Sequence, residues 1–156
     1  MACDALARLY DVDEDTVVFK KLDKTTKYDQ GTVTFRARKN RLVDLRKLHE
    51  SIWATRLSGG TRSGLVSLAV TARGQVVHSR GRTVLRVSGS EAEFELSPHP
   101  GDSYRSAFNR LSKIGSGIEL SVTGRIADYQ GRWPGLLRKR PSEPRRILVA
   151  RFEPSE

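Results

Sequence analysis

The part of this sequence best suited to chemistry is a polar stretch near its end, Asp128–Pro144. It combines two flat aromatic rings with a dense set of cations. The residues predicted to contact a partner are Tyr129, Arg132, Trp133, Arg138, Lys139, Arg140, Arg145 and Arg146. Aromatic rings stack on bases and guanidinium groups pair with phosphates, while Trp and Arg also anchor protein interfaces. The segment is therefore predicted to bind an anionic partner.

Three kinds of partner fit this composition. Our leading interpretation is an acidic protein surface on a larger assembly, with the chain acting as a non-catalytic binding or accessory protein. The alternative is sequence-tolerant binding of single-stranded nucleic acid through the same segment. The apolar run Trp133–Leu137 also suits insertion into a lipid headgroup layer, so peripheral contact with a membrane fits as well.

The distribution of charge supports an anionic partner. The 156 residues carry a formal net charge of +10, from 28 Lys and Arg against 18 Asp and Glu. Residues 1–30 hold five basic and seven acidic side chains, and residues 31–156 hold 23 and 11. A secondary basic patch is predicted around the start of the first long helix, formed by Arg36, Arg38, Lys39, Arg41, Arg46 and Lys47. Residues 1–30 are predicted to be a weakly structured acidic arm with a short strand at Thr16–Phe19.

Catalysis, cofactors and metals find little support in the residue types. A single Cys excludes an internal disulfide framework and any site with several thiolates. The three His residues have no metal-ligand spacing, and His49 is predicted to pack in a helix. No nucleophile motif is present. Glu91, Glu93 and Glu95 alternate, which predicts one solvated strand face rather than a paired-carboxylate site. We therefore predict no enzymatic activity, no cofactor and no metal.

Periodicity predicts the elements that position these residues. Val33, Phe35 and Ala37 alternate with polar residues from Gly31 onward, as in a half-buried strand. Asn40 or Asp44 is then predicted to cap a helix. The apolar stripe of that helix is Leu42, Leu45, Leu48 and Ile52, extended by Trp53 and Leu57. A second apolar run, Leu65–Ala72, completes a β-α-β unit.

This unit, residues 31–77, resembles the opening β-α-β of heavy-metal-associated (HMA) domains. The resemblance rests on the order of strand, helix and valine-rich strand, and it implies a ferredoxin-like scaffold. Such domains bind a soft metal through a CxxC motif at the helix start. Here that stretch reads Arg38-Lys39-Asn40-Arg41-Leu42-Val43, with no thiol. HMA-like metal handling is therefore only a third functional interpretation.

The second half of the chain has a different rhythm. Strands are predicted at Leu65–Ser79, Thr83–Ser88 and Ala92–Ser97, followed by a helix capped by Asp102 or Ser103. Two more strands are predicted, one around Ile118, Leu120 and Val122 and one at Arg145–Phe152. Three strands, a helix and two strands resemble the order of an OB-like barrel, in which Asp128–Pro144 is the loop between strands 4 and 5.

The predicted fold class is thus α+β. A ferredoxin-like, HMA-like βαβ unit joins a five-stranded OB-like β-barrel with one helix between strands 3 and 4. The predicted organisation is an acidic arm (1–30), the HMA-like unit (31–77) and the barrel (65–156), with strand 65–79 shared. No apolar run is long enough to span a bilayer, and no signal peptide is visible. A cytoplasmic location is the default expectation, and an extracytoplasmic one applies if a signal was removed. Partner identity and oligomeric state stay open.

Overall fold

A computed structural model describes residues 2–21, 31–39, 41–55, 67–127 and 146–155. The chain divides into two compact units, Met1–Gly64 and Leu65–Glu156. It is a mixed α/β protein with a two-stranded sheet in the first unit and a five-stranded sheet in the second.

The described residues of the first unit form two helices and an antiparallel pair of strands. In chain order these are α1 (Ala2–Ala7), β1 (Val12–Lys21), β2 (Gly31–Ala37) and α2 (Leu45–Ala54). The shorter helix α1 packs against β1 and α2. The unit's small core contains Leu6, Val12, Leu48 and Ile52, which are 8% exposed or less.

The helix α2 forms where the sequence predicted it. The carboxylate of Asp44 accepts hydrogen bonds from the main-chain N–H groups of Arg46 and Lys47, both at 3.0 Å, and so caps the first turn. Leu48 and Ile52, four residues apart, supply its buried stripe. The helix ends at Ala54, and Leu57, which was predicted to extend its stripe, lies outside the described residues.

The prediction of a weakly structured acidic arm is wrong for residues 2–21. Leu6 and Val12 are buried, and β1 is a ten-residue strand paired with β2 instead of a short strand. The register shifts between Asp13 and Val18, so the acidic residues between them, Glu14 and Asp15, lie in a bulge. Thr16 fastens this bulge: its hydroxyl donates to the Asp13 carbonyl at 2.7 Å and accepts from the Arg36 N–H at 2.9 Å. Few apolar residues are enough to order this stretch because Leu6 and Val12 are both buried.

Five strands and one helix make up the described part of the second unit. They are β3 (Ala69–Ser79), β4 (Arg82–Val87), β5 (Glu93–Pro98), α3 (Asp102–Leu111), β6 (Glu119–Ile126) and β7 (Arg146–Pro154). The strands close into a barrel in the order β3-β4-β5-β7-β6. All neighbouring pairs are antiparallel except β5 and β7, which are parallel. The helix α3 packs against β5 and β7.

Alternation along the strands sends apolar side chains into the barrel. On β6, Leu120, Val122 and Ile126 are buried while their neighbours are half-buried. The remaining interior is supplied by Val76, Leu85, Phe94, Leu96, Ile147 and Val149, and by Ala107 and Leu111 of α3. The predicted cap, Asp102 or Ser103, is wrong: the helix begins at Asp102, and Gly101 occupies the cap position without a side-chain hydrogen bond.

The strand β3 belongs to the barrel, where β4 and β6 are its neighbours. The strand β2, by contrast, lies in the two-stranded sheet with β1. The predicted β-α-β unit of residues 31–77 therefore spans parts of two sheets, and its HMA-like assignment stays a prediction.

Candidate binding surfaces

Most of the predicted partner-binding residues lie outside the described part of the chain. These are Tyr129, Arg132, Trp133, Arg138, Lys139, Arg140 and Arg145. Arg146 is described: it is exposed at the start of β7, opposite Glu95 in the parallel register with β5. We call residues 128–145 the basic segment. The structure thus shows its base, which is formed by the strand residues on either side of it.

That base is closed by a main-chain hydrogen bond. The N–H of Ala127 donates to the carbonyl of Arg146 at 3.1 Å. Just inside this bond, Ile126 pairs with Ile147, and both side chains are fully buried in the barrel. Residues 128–145 therefore begin and end on two adjacent antiparallel strands, and both ends are anchored in the core.

The outer face of β4 and β5 carries matched charges. Arg86 and Glu93, directly opposite in the register, form an ion pair at 2.7 Å. Arg82 and Glu95 form a longer pair at 3.9 Å. These exposed pairs contribute little to stability, but they leave the face close to neutral. Of the three glutamates predicted to share a solvated strand face, Glu93 and Glu95 lie on it and are each matched by an arginine, and Glu91 lies before the strand begins.

This face also lacks an outward aromatic ring among its described residues. Phe94, the aromatic of β5, is only 6% exposed because it points into the barrel. Val84 and Ser97 are half-buried on the outside, where neither offers a π surface. A platform for stacking bases is therefore absent from the described strands β4 and β5.

On the outer surface around β3 and β6, polar side chains likewise form hydrogen bonds to one another. Glu119 accepts from Arg73 Nε at 3.1 Å and from the Ser88 hydroxyl at 2.7 Å. The hydrogen bond from Ser88, together with the Arg73 charge, lowers the pKa of Glu119 below the usual glutamate range. Thr71 and Thr123 share a hydrogen bond at 2.9 Å on the same surface.

The secondary basic patch separates into two groups in the structure. Arg46 is paired with Glu50 at 3.2 Å, and Lys47 lies 4.0 Å from Asp44. The other members are exposed and form no ion pair with any described carboxylate: Arg36, Arg38, Lys39 and Arg41. Two of these, Arg38 and Arg41, lie beside Tyr10 at 5.8 and 5.0 Å from its ring centroid.

Tyr10 was missed by reasoning from the sequence. It stands alone in an acidic stretch, remote in sequence from the basic patch, and no local pattern connects the two. Only the pairing of β1 with β2 brings them together, since Val12 lies opposite Ala37 in that sheet.

Two of the histidines, His78 and His99, form hydrogen bonds with neighbouring groups. His78 Nε2 lies 2.6 Å from the Ile114 carbonyl, so this nitrogen donates, and Nδ1 lies 3.2 Å from the Thr83 hydroxyl. His99 Nδ1 accepts from the Gly101 N–H at 3.0 Å. Within the described ranges, no group of three His, Cys, Asp or Glu side chains is arranged to hold a metal ion.

Comparison with models of known protein families finds no match to this chain, and a search of curated proteins finds no significant relative. In the part of the chain that the structure describes, no helix is long and apolar enough to cross a membrane.

Proposed function

We propose that this chain is a non-catalytic binding protein, in which an OB-type barrel presents the basic segment 128–145 to an acidic surface of a larger assembly. Five strands in a closed sheet, with α3 between the third and fourth of them, support the OB assignment. The segment is then the loop between strands 4 and 5, a position at which OB barrels contact their ligands.

The observation that carries the docking proposal is the closed base of this segment. The Ala127–Arg146 hydrogen bond and the buried Ile126–Ile147 pair hold its two ends on the barrel. A partner that binds the segment is thereby linked to strands whose side chains Ile126 and Ile147 are buried in the barrel. Within the segment, Trp133 is the proposed anchor and Tyr129 lies four positions before it. The proposed charge partners are Arg132, Arg138, Lys139 and Arg140.

The strand faces favour a protein partner over a nucleic acid. Arg82 and Arg86 are matched by Glu95 and Glu93, so these arginines are not free to neutralise phosphates without breaking an ion pair. The ring of Phe94 is inside the barrel and cannot stack on a base. Binding energy would then come mainly from the segment, with one aromatic anchor in a basic surround, as at protein interfaces.

Single-stranded nucleic acid is the second candidate, favoured by the barrel topology itself. OB barrels bind oligonucleotides at the face of strands 2 and 3 and at the adjoining loops. Tyr129 and Trp133 supply rings for stacking, each worth about 1–3 kcal/mol per base. This candidate requires that the Arg–Glu pairs on β4 and β5 open when the strand binds.

The test compares three forms of the full chain: wild type, Trp133→Ala, and Tyr104→Ala as a control that removes an exposed aromatic from α3. Partners captured from cell extract by the wild type are purified and titrated against each form. Docking predicts that Trp133→Ala weakens binding by at least tenfold, about 1.4 kcal/mol, and that Tyr104→Ala does not.

The same three forms are titrated with a fluorescent single-stranded 20-mer across a salt series. Saturable binding that survives ~150 mM salt and depends on Trp133 would replace the docking proposal with the nucleic-acid one. Partner binding that is indifferent to Trp133 and to charge reversal at Arg138, Lys139 and Arg140 would overturn the role of the segment.

A further inference from the structure

Two arginines and a tyrosine lie together on the surface of the first unit. They are far in the sequence from residues 128–145. Tyr10 is 67% exposed and lies between α1 and β1. The guanidinium carbons of Arg41 and Arg38 lie 5.0 and 5.8 Å from its ring centroid. Arg41 Nη2 also donates to the Tyr10 hydroxyl at 3.2 Å. We call these three residues the Tyr10 cluster.

Main-chain hydrogen bonds hold the cluster in place. The N–H of Arg38 donates to the Asp11 carbonyl at 2.9 Å, and its side-chain Nε donates to the Val12 carbonyl at 3.0 Å. The N–H of Arg41 donates to the Arg38 carbonyl at 2.9 Å, which closes a turn between the two arginines. Val12 is fully buried, so the turn is attached to the core of the unit.

The cluster concentrates positive charge at an exposed surface. Neither Arg38 nor Arg41 forms an ion pair with a described carboxylate, although Asp11 and Asp13 are near in the sheet. A guanidinium has five N–H donors. Arg38 uses one on Val12 and Arg41 uses one on the Tyr10 hydroxyl. The remaining donors have no hydrogen-bond acceptor among the described residues.

We propose that the Tyr10 cluster binds a phosphate monoester group. Two guanidinium charges match a phosphate monoester, which carries about −1.5 to −2 at pH 7, better than a carboxylate with a single charge. Planar guanidinium forks fit phosphate oxygens in pairs. The Tyr10 hydroxyl accepts from Arg41, and its own proton is then available for a third hydrogen bond to the phosphate. The three residues of this site all belong to the first unit, whereas the segment 128–145 belongs to the second.

The test titrates the isotope-labelled full chain with inorganic phosphate and, separately, with phenyl phosphate, and follows the arginine Nε–H signals by NMR. Saturable shifts at Arg38 and Arg41 are expected. Arg41→Gln should weaken binding by about tenfold or more, because it removes charge-assisted hydrogen bonds. Arg36→Gln removes the same charge from the exposed side of β2 and should leave affinity unchanged.

Two further variants keep the result interpretable. Arg38→Gln also loses the bond to Val12, so its thermal midpoint is measured alongside; Arg41→Gln keeps every main-chain bond of the turn. Tyr10→Phe should weaken binding by a smaller factor. Binding of both probes assigns the site to phosphate itself, and binding of phenyl phosphate alone assigns it to organic phosphomonoesters. The proposal is overturned by no saturable shift up to about 10 mM of either probe, or by equal weakening in Arg36→Gln and Arg41→Gln.

Discussion

The main-chain N–H of Ala127 donates to the carbonyl of Arg146 at 3.1 Å, although 18 residues separate the two in the sequence. The pair continues the β6–β7 ladder by one step beyond Ile126 and Ile147. The hydrogen bonding between β6 and β7 therefore continues up to the two residues that flank the basic segment.

This geometry predicts that the segment can be removed without unfolding the barrel. Replacing residues 128–145 by Asn-Gly makes a two-residue hairpin between adjacent antiparallel strands, which such a turn can join. We expect the thermal midpoint to stay the same or to rise, since a long loop costs more closure entropy than a short one. Partner binding should be lost. The measurement is thermal unfolding by circular dichroism, alongside the partner titration.

Loss of folding in the shortened chain would show instead that the segment is part of the barrel's structure. A shortened chain that folds and still binds the partner would move the binding surface elsewhere. The first of these outcomes contradicts the hairpin prediction, and the second contradicts the docking proposal.

Gly74 is predicted to be intolerant of any side chain. A Cβ at this position would collide with the main-chain carbonyl of Arg86, which is part of the neighbouring strand and cannot turn away. We expect Gly74→Ala to lower the free energy of unfolding by at least about 2 kcal/mol. The matched control is Gly115→Ala, where the nearest atom to a Cβ is 3.9 Å away. Chemical denaturation of both variants decides the matter; equal midpoints would mean that β3 and β4 separate more readily than the structure indicates.

Leu6 tests whether the N-terminal residues belong to the core. Its side chain is 1% exposed, so Leu6→Ala should cost about 2–5 kcal/mol in the stability of the first unit. Leu42→Ala is the control, because Leu42 is 38% exposed and should change little. Amide hydrogen exchange in β1 and β2 reports the first unit specifically. By the same reasoning, deleting residues 1–30 should unfold this unit rather than merely expose its basic patch. A Leu6→Ala protein with unchanged protection would restore the interpretation of a loose arm.

Ser88 is predicted to control the pKa of Glu119. Its hydroxyl donates to the carboxylate at 2.7 Å and is the main cause of the lowered pKa. Ser88→Ala should raise the pKa of Glu119 toward its usual value, as followed by NMR titration. A carboxylate whose pKa is lower in the folded state than in the unfolded state stabilises the fold at pH values above its unfolded pKa. The variant loses part of this stabilisation, so it should be slightly less stable at neutral pH. That difference should vanish as the pH falls through the folded pKa and Glu119 is protonated.

Ser97→Ala serves as the control, since Ser97 lies on β5 and has no hydrogen bond to Glu119. An unchanged pKa in Ser88→Ala would assign the shift to Arg73 instead, whose Nε lies 3.1 Å from the same carboxylate.

Local pattern was sufficient to predict most of the elements. The alternation through Leu120 and Val122 predicted β6, and the stripe through Leu48 and Ile52 with the Asp44 cap predicted α2. Both signals operate within one element, where burial on one side imposes a period of two or of about 3.6 residues. The basic segment was also evident from composition, although residues 128–145 lie outside the described part of the chain.

The relationships between elements were decided by tertiary structure. Glu93 and Glu95 formed a uniform acidic row in the sequence, and only the tertiary structure showed that Arg86 stands across from Glu93 and that Arg82 lies 3.9 Å from Glu95. Tyr10 had no pattern of its own, and a sheet between distant residues brought Arg38 and Arg41 to its ring. Periodicity determines which face of a strand is buried, because burial acts on each element separately. Which strand becomes its neighbour depends on contacts between residues far apart in the chain, and these determine which charges are matched and which remain available to a ligand.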